Sequence, residues 1–416
     1  MHKIFWRLVP LLMALYFISY VDRINVGFAA LTMNRDIGLS PYVYGWGAGI
    51  FYVGYCLFEV PSNLMLVRTG ARVWIARILA TWGVLSCAMA YVQDSTGFLI
   101  LRFLLGVAEA GFFPGVMLYL GDWFPARYRG RIVGAFMLSI PLSVVLGAPL
   151  SGAILQLDGW CGLRGWQWLF LLEGVPALIA SVAVLLFMTE KAQVATWLQP
   201  AEKAWLAAQL ARDRADNARA APVATLAAVF RHPAVLALAF IYFCATACNL
   251  GLSFFLPQMI QQQGYGNLAI GFLTAVPYVA GCASMLLAGY WSDRLQERRT
   301  FLAVLMLIAG GGLAAAAWYG GGYAALVALS VAAAGIYGCK APFWPLSTSY
   351  LGGGALAGGI AFISSVGNLG GFVGPYMVGW IRAATGSFIG GLYCIAALGI
   401  AAAVVAVTVL PRPAEA

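Results

Sequence analysis

Apolar windows of about 20 residues recur along the whole of this sequence, and each is long enough for a helix to cross roughly 30 Å of hydrocarbon. We count twelve such windows, with expected boundaries at 8–30, 42–66, 73–93, 96–120, 131–155, 167–188, 233–257, 267–290, 300–319, 323–347, 354–380 and 387–409. This pattern predicts an all-α polytopic membrane protein with twelve transmembrane helices. It excludes a soluble core, and it excludes a β-barrel, whose strands would alternate polar and apolar residues.

The composition and the loop charges agree with this class. Apolar residues make up 62% of the chain and charged residues 9%, whereas soluble domains carry about 25% charged residues. Most loop lysines and arginines lie on the side of the termini, and only Arg35, Arg164 and Arg382 lie on the other side. The positive-inside rule therefore places both termini in the cytoplasm. The net charge of +9 is explained by this topology and by contact with anionic lipid headgroups, so it does not indicate nucleic-acid binding.

A long polar connection divides the spans into two groups of six. We expect an N-terminal six-helix bundle over 1–188, a cytoplasmic linker over 189–232 and a C-terminal six-helix bundle over 233–416. Within the linker, Pro200 is followed by Glu202 and by apolar residues at helical spacing, which favours a short amphipathic helix. A solvated flexible linker explains the rest of the connection equally well.

Four charged side chains lie inside otherwise apolar spans, namely Asp22, Arg23, Arg102 and Glu109. An ionised group near the middle of a bilayer costs about 2.5–3.5 kcal/mol on insertion scales, so such groups usually face a polar cavity. At 1.5 Å per residue, Asp22 and Glu109 both lie about 20 Å into their spans, near the middle of the membrane. These residues indicate a protein that moves a charged solute or a proton.

Several motifs then give the chain a family resemblance. The loop after the eighth span reads Gly-Tyr-Trp-Ser-Asp-Arg over 289–294, and this loop in a chain of six plus six spans resembles the major facilitator superfamily. Within it, the chain resembles the anion:cation symporter family of bacterial tartrate, phthalate, hydroxyphenylacetate and sugar-acid permeases, through residues 20–27, 102–115 and 367–375. The loop after the second span departs from the superfamily pattern, because Asn63 and Val67 stand where glycine and aspartate are usual.

The resemblance implies two pseudo-symmetric six-helix bundles around a central site that opens alternately to the two sides of a bacterial inner (plasma) membrane. Family members mostly carry organic anions together with protons or sodium. On this basis Arg23 is expected to bind a carboxylate through its planar fork, with Arg102 as a second cation. The partly desolvated Asp22 and Glu109 are expected to take up protons and to compete with the substrate for the arginines while ionised, which yields proton symport. A static ion pair between Arg102 and Glu109 is the structural alternative.

Further site residues are expected to be neutral. Tyr20, Tyr55 and Trp344 are candidate cavity aromatics, and Asn368 lies in a glycine-rich stretch that lets helices approach closely. Lys340 either supplies a second cation for a dianion or extends towards the cytoplasm. Two further acids within the spans, Glu59 and Glu173, are expected to make structural hydrogen bonds, and a cytoplasmic gate is expected from Asp122, Arg129, Asp293 and Arg294.

The expected substrate is a small organic anion that moves with protons. Between Ile132 and Leu150 the fifth span has only Ser139 and Ser143 as polar side chains, which favours a dicarboxylate or an aromatic acid over a sugar acid. No enzyme chemistry, metal, cofactor or direct ATP drive is expected, since both histidines lie in loops and no phosphate-binding loop is present. We expect a monomer. Anion exchange or efflux is the alternative within transport, and a transporter-like sensor that does not translocate is the alternative outside it.

Overall fold

A computed structural model describes residues 1–219, 232–295, 297–350 and 355–411, without the side chains of residues 126, 129, 131, 214–219, 293 and 355–357. Within these ranges the regular structure is entirely helical. The α-helices are α1 His2–Asp36, α2 Pro41–Thr69, α3 Ala71–Ala88, α4 Ser95–Glu109, α5 Phe112–Trp123, α6 Ala126–Ile154, α7 Gly165–Phe187, α8 Pro200–Arg219, α9 Pro233–Ser253, α10 Leu256–Gln261, α11 Asn267–Leu295, α12 Arg298–Tyr319, α13 Gly322–Gly338, α14 Lys340–Tyr350, α15 Ala355–Thr385 and α16 Ile389–Thr408.

The predicted spans agree with these helices to within a few residues at most boundaries. In the described part of the chain, eleven helical stretches are long and apolar enough to cross a membrane. The eleventh predicted span, 354–380, corresponds to α15, which has 31 residues and is not among those eleven stretches. The prediction of an all-helical polytopic membrane protein is confirmed.

Three of the predicted spans are not continuous, which corrects the sequence analysis. The fourth breaks between α4 and α5, where Gly111 has φ 84°, a left-handed conformation that glycine adopts without a steric penalty. The seventh breaks before Pro257, which lies in the first turn of α10, where a missing N–H is tolerated. The tenth breaks at Cys339, between α13 and α14. The first of these breaks matters for the site, because Glu109 is the last residue of α4.

The amphipathic helix predicted in the linker is present as α8. Its Leu206 side chain is fully buried, while Trp205 is exposed. Glu202 accepts hydrogen bonds from the backbone N–H of Gln199 at 2.8 Å and from Lys3 Nζ at 3.3 Å. Both interactions favour the ionised carboxylate and lower the pKa of Glu202. The helix is thereby joined to the start of α1; residues 220–231 of the predicted linker lie outside the described ranges.

Helices of the first six spans meet those of the second six mainly along two pairs, α2 with α15 and α6 with α11. The approach is closest at the end of the helices opposite the termini. There Gly45 lies so near Gly379 that a Cβ at position 45 would stand 2.8 Å from the carbonyl oxygen of Pro375. At the same end, Tyr44 donates to the carbonyl of Phe254 at 2.9 Å. The division of the chain into two bundles with boundaries at 188 and 233 stays a prediction.

Candidate functional site

A cavity lies between helices of the two sets of spans. The cavity lies between the contact of Gly45 with Gly379 and the end of the helices where the chain termini lie. Among its walls are five residues predicted from the sequence: Tyr20, Arg23, Tyr55, Trp344 and Asn368. They come from α1, α2, α14 and α15, so helices far apart in the sequence converge on one space.

The side chain of Arg23 connects this cavity to Glu109. Arg23 Nε donates to Glu109 Oε1 at 2.8 Å, and Arg23 Nη2 lies 2.7 Å from the same oxygen. Ser19 Oγ donates to that oxygen as well, at 2.5 Å. The Glu109 side chain is 2% exposed and that of Arg23 is 11% exposed. The pair is therefore buried on the carboxylate side and reaches the cavity through the guanidinium.

Aromatic rings hold the Arg23 guanidinium in place. Its Cζ lies 5.4 Å from the ring centroid of Phe51 and 5.2 Å from that of Tyr55, within the range of cation–π attraction. A planar guanidinium fixed in this way keeps its fork geometry, which suits a carboxylate. The arrangement can exchange the internal carboxylate of Glu109 for one that arrives from the cavity.

Asp22 lies away from the cavity, in contrast to the expectation from the sequence. Its carboxylate accepts hydrogen bonds from Asn25 Nδ2 at 3.0 Å, from Trp82 Nε1 and from Ser86 Oγ. Trp82 and Ser86 belong to α3, so Asp22 faces the interior of the first six spans. The reason is geometric: successive residues of a helix point about 100° apart, and Arg23 takes the direction of the cavity.

Arg102 also lies away from the cavity walls. Its Nε donates to the carbonyl of Gly47 at 3.1 Å and its Nη2 to that of Ala48 at 3.4 Å. Its Cζ stands 5.1 Å from the Phe51 ring centroid. The expected alternative of an Arg102–Glu109 ion pair is not among the ion pairs of the described residues, because Arg23 takes the carboxylate instead. In this structure Arg102 satisfies carbonyl groups of α2 and does not face the cavity.

The second half contributes amide and ammonium groups. Asn249 Nδ2 donates to the Tyr20 hydroxyl at 3.1 Å. Asn368 lies close enough to Glu59 to interact with its carboxyl group, and Glu59 Oε2 is buried without a hydrogen-bond partner among the described residues. Lys340 lines the cavity instead of extending out of it. The second half therefore supplies the cavity with hydrogen-bond donors and a positive charge.

The remaining predicted residues lie outside the cavity. Glu173 makes the expected structural hydrogen bond, with Ser151 Oγ donating to its Oε1 at 2.7 Å. Asp122 is exposed beside a groove that Lys191 also lines, and Arg294 Nη1 donates to the Tyr290 hydroxyl at 3.3 Å. The side chains of Arg129 and Asp293 lie outside the described part of the structure. The proposed gate therefore stays a prediction.

Sequence reasoning missed Ser19 and Asn249. Ser19 precedes Arg23 by four residues, so both lie on one face of α1, and this spacing was the available signal. Tyr16 and Tyr20 share that face and line the same cavity. Asn249 carried a weaker signal, as an amide within an apolar span. No group of three or more histidine, cysteine, aspartate or glutamate side chains forms a metal site within the described ranges.

Membrane-spanning helices that surround a cavity, with an ion-paired arginine in its wall, define a membrane transporter. The family can be stated as well. The chain belongs to the Major Facilitator Superfamily, whose sequence model matches residues 12–375. Membership confirms the resemblance found in the motifs, and it assigns the chain to non-enzymatic transport.

Relatives and solved structures agree with this assignment. A protein named as a tartrate transporter of Agrobacterium vitis is 49% identical over 97% of this chain and 90% of its own length. A quinolone resistance transporter of Acinetobacter baumannii is 42% identical over 93% of this chain and 89% of its own length. The xylose transporter XylE from E. coli, in a partially occluded inward open conformation, superposes with a TM-score of 0.76 over 98% of this chain and 99% of that chain at 13% identity. The last comparison supports the fold alone.

Proposed function

We propose that this protein imports a small organic anion, a carboxylate, together with protons by alternating access. The observation that carries the proposal is the Arg23–Glu109 ion pair at the wall of the cavity. Arginine remains protonated at any working pH, so Glu109 is the partner whose charge can change. Tartrate, the substrate in the name of a relative, is the first anion to test.

The coupling follows from competition for one guanidinium. While Glu109 is ionised it occupies Arg23 Nε and Nη2, and a substrate carboxylate has to displace it. Protonation of Glu109 removes its negative charge and frees the fork, so proton and anion bind with positive linkage. Ser19 donates to the same oxygen and helps to keep the carboxyl group of Glu109 in position. The cytoplasmic location of the termini and the gate at Asp122, Arg129, Asp293 and Arg294 belong to this proposal.

The role of Asp22 in this scheme is secondary. Its hydrogen bonds to Trp82 and Ser86 separate it from the cavity, so it does not compete for the substrate site in this conformation. Arg102 is likewise assigned to supporting α2 beside the site. Tyr20, Tyr55, Trp344 and Asn368 are proposed as the neutral contacts to the substrate.

Uptake into proteoliposomes tests the proposal. Labelled tartrate should accumulate under an inward proton gradient and should stop accumulating when a protonophore removes the gradient. Exchange of internal for external anion without any response to the gradient would point to an exchanger. Saturable binding without flux would point to a sensor. Because one relative is a quinolone resistance transporter, quinolone export is measured in parallel, and export without anion uptake would support efflux.

Two variants test the residue roles. Glu109→Gln resembles the protonated acid, so it should abolish gradient-driven uptake and retain anion exchange. Arg23→Lys should lower anion affinity by roughly tenfold or more, because an ammonium cannot reproduce the fork. Arg35→Lys is the matched control, since the Arg35 side chain is 85% exposed and far from the cavity. Equal loss of uptake and exchange in well-folded Glu109→Gln would contradict the proton role.

A further inference from the structure

Lys340 is a basic residue of the cavity that the coupling scheme does not use. It is the first residue of α14, directly after the break at Cys339. Its Nζ lies 4.6 Å from the ring centroid of Tyr337, close enough for a cation–π contact. The side chain therefore turns along the cavity wall, and the alternative that it extends towards the cytoplasm does not describe this structure.

No acidic side chain among the described residues forms an ion pair with Lys340. The ion pairs among the described residues are Lys3–Glu202, Arg23–Glu109, Arg35–Asp36 and Arg164–Asp36, and none of them includes Lys340. Two acids beside the cavity interact with other residues: Glu109 binds Arg23, and Glu59 is close enough to Asn368 to interact with it. The described lining contains two basic side chains, Arg23 and Lys340, and no acidic one.

The two basic residues belong to opposite halves of the protein but line the same cavity. Tyr20 is three residues before Arg23 on the same face of α1, and Tyr337 holds the ammonium of Lys340. These two tyrosines are near enough to interact with each other. Arg23 and Lys340 therefore face the same cavity from different halves of the protein.

We infer that Lys340 is a specificity residue that binds the second carboxylate of a dicarboxylate whose first carboxylate is bound by Arg23. An ammonium inside the membrane without a counter-ion is costly, and an anion that enters the cavity reduces this cost. When Glu109 is protonated, the cavity wall carries two positive charges, which matches a dianion and not a monocarboxylate. A ligand held from both sides also connects α1 with α14, so its binding favours a closed arrangement of the two halves. The inference rests on the proposed function and specifies its substrate class.

The test compares two probes of nearly the same size that differ by one charge, tartrate and its monoamide. Wild-type protein in proteoliposomes should take up tartrate with a KM roughly tenfold or more below that of the monoamide. Lys340→Gln should reduce this ratio to about one, chiefly by raising the KM for tartrate. Lys340→Arg should preserve most of the preference, since it keeps the charge. Lys3→Gln, which removes an exposed lysine outside the cavity, should leave both KM values unchanged.

The outcomes separate this inference from the proposed function. Equal uptake of both probes by wild-type protein overturns the role of Lys340 but leaves proton-coupled anion import intact, and this result needs no variant. A Lys340→Gln protein that keeps the preference, or that loses both probes in equal proportion, also overturns it. Failure of wild-type protein to take up either probe overturns the proposed function together with the inference. Size-exclusion profiles and Tm values show that each variant is folded, and Lys340→Met replaces Lys340→Gln if the latter does not fold.

Discussion

Asp22 and Arg23 are neighbours in the sequence but take part in different interactions. Arg23 contacts Glu109 of α4, whereas Asp22 contacts Trp82 and Ser86 of α3. Indole Nε1–H can only donate a hydrogen bond, so the position needs an acceptor. Asp22 thus serves as a fixed acceptor that attaches α1 to α3, while its neighbour faces the substrate space.

This difference predicts that Asp22→Asn mainly destabilises the protein. An asparagine amide keeps one acceptor oxygen and directs its NH₂ group towards donors, which leaves a buried donor unsatisfied at a cost of about 1–3 kcal/mol. A lower Tm in detergent is the expected readout. Adding Trp82→Phe removes one hydrogen-bond donor and should recover part of the lost stability, because the effects of substitutions at residues in contact are not additive. An Asp22→Asn protein with wild-type Tm and lost proton coupling would instead show that Asp22 carries a transported proton.

The sequence predicted which residues line the cavity, but it did not predict which residues interact with one another. Arg23, Tyr20, Tyr55 and Asn368 were expected there because polar groups in apolar spans need a polar environment. The choice of Arg23 over Arg102 as partner of Glu109 depends on how α1, α2 and α4 are rotated about their axes. A single sequence does not specify those rotations, since many of them bury the same apolar faces.

Among the helices, α3 begins in an unusual way that ties it to α7. The first N–H groups of a helix lack partners within the helix, and here a carboxylate provides them. Glu190, just beyond α7, accepts from the backbone N–H of Ala71 at 2.7 Å and of Arg72 at 2.8 Å. Val67, which stands where the superfamily pattern has an aspartate, lies in the last turn of α2, just before this junction.

Removing the Glu190 carboxylate from the start of α3 gives a prediction at the scale of the helix. Glu190→Ala should destabilise the protein by about 1 kcal/mol, within the range measured for helix caps with a favourable dipole interaction. Glu190→Gln keeps one acceptor oxygen, so its stability should lie between that of wild-type protein and that of Glu190→Ala. Thermal unfolding of the purified proteins measures the difference. A Glu190→Ala protein as stable as wild type would show that water replaces the carboxylate at the start of α3.

The sequence predicted where the helices lie, but it did not predict where they are interrupted. Hydropathy located the spans because burial in lipid depends on a run of apolar side chains. It does not register a backbone break such as that at Gly111, because glycine and its neighbours remain apolar there. Gly111 followed by Pro114 was the signal for that break, and Pro257 was the signal for the break between α9 and α10.

At the scale of the whole molecule, the two sets of spans are in contact at the end opposite the termini. The approach of Gly45 to Gly379 leaves no space for a side chain, since a Cβ at position 379 would lie 2.6 Å from the carbonyl oxygen of Pro41. Gln261 Nε2 donates to the carbonyl of Leu31 at 3.1 Å at the same end. This end is closed by backbone-to-backbone contact, which needs glycine.

Gly45→Val should therefore shift the protein towards a form in which this end is open. The added side chain cannot be accommodated against the backbone of α15, so the closed arrangement loses stability relative to the open one. Electron–electron distance measurements between spin labels at positions 35 and 263 should show a longer distance. Gly311→Val is the control, because a Cβ there meets no atom within 4 Å. An unchanged distance in both variants would contradict alternation at this end.

The contacts that Asp22 and Arg23 make from α1 have a practical consequence for any attempt to change the substrate of this protein. Since the adjacent side chains Asp22 and Arg23 attach α1 to α3 and α4, this helix cannot be turned to suit a new substrate without disturbing those contacts. Directed-evolution libraries restricted to the residues that touch the cargo would then yield few viable clones. Libraries that vary positions 82 and 86 together with 19 and 23 should be richer in functional changes of specificity.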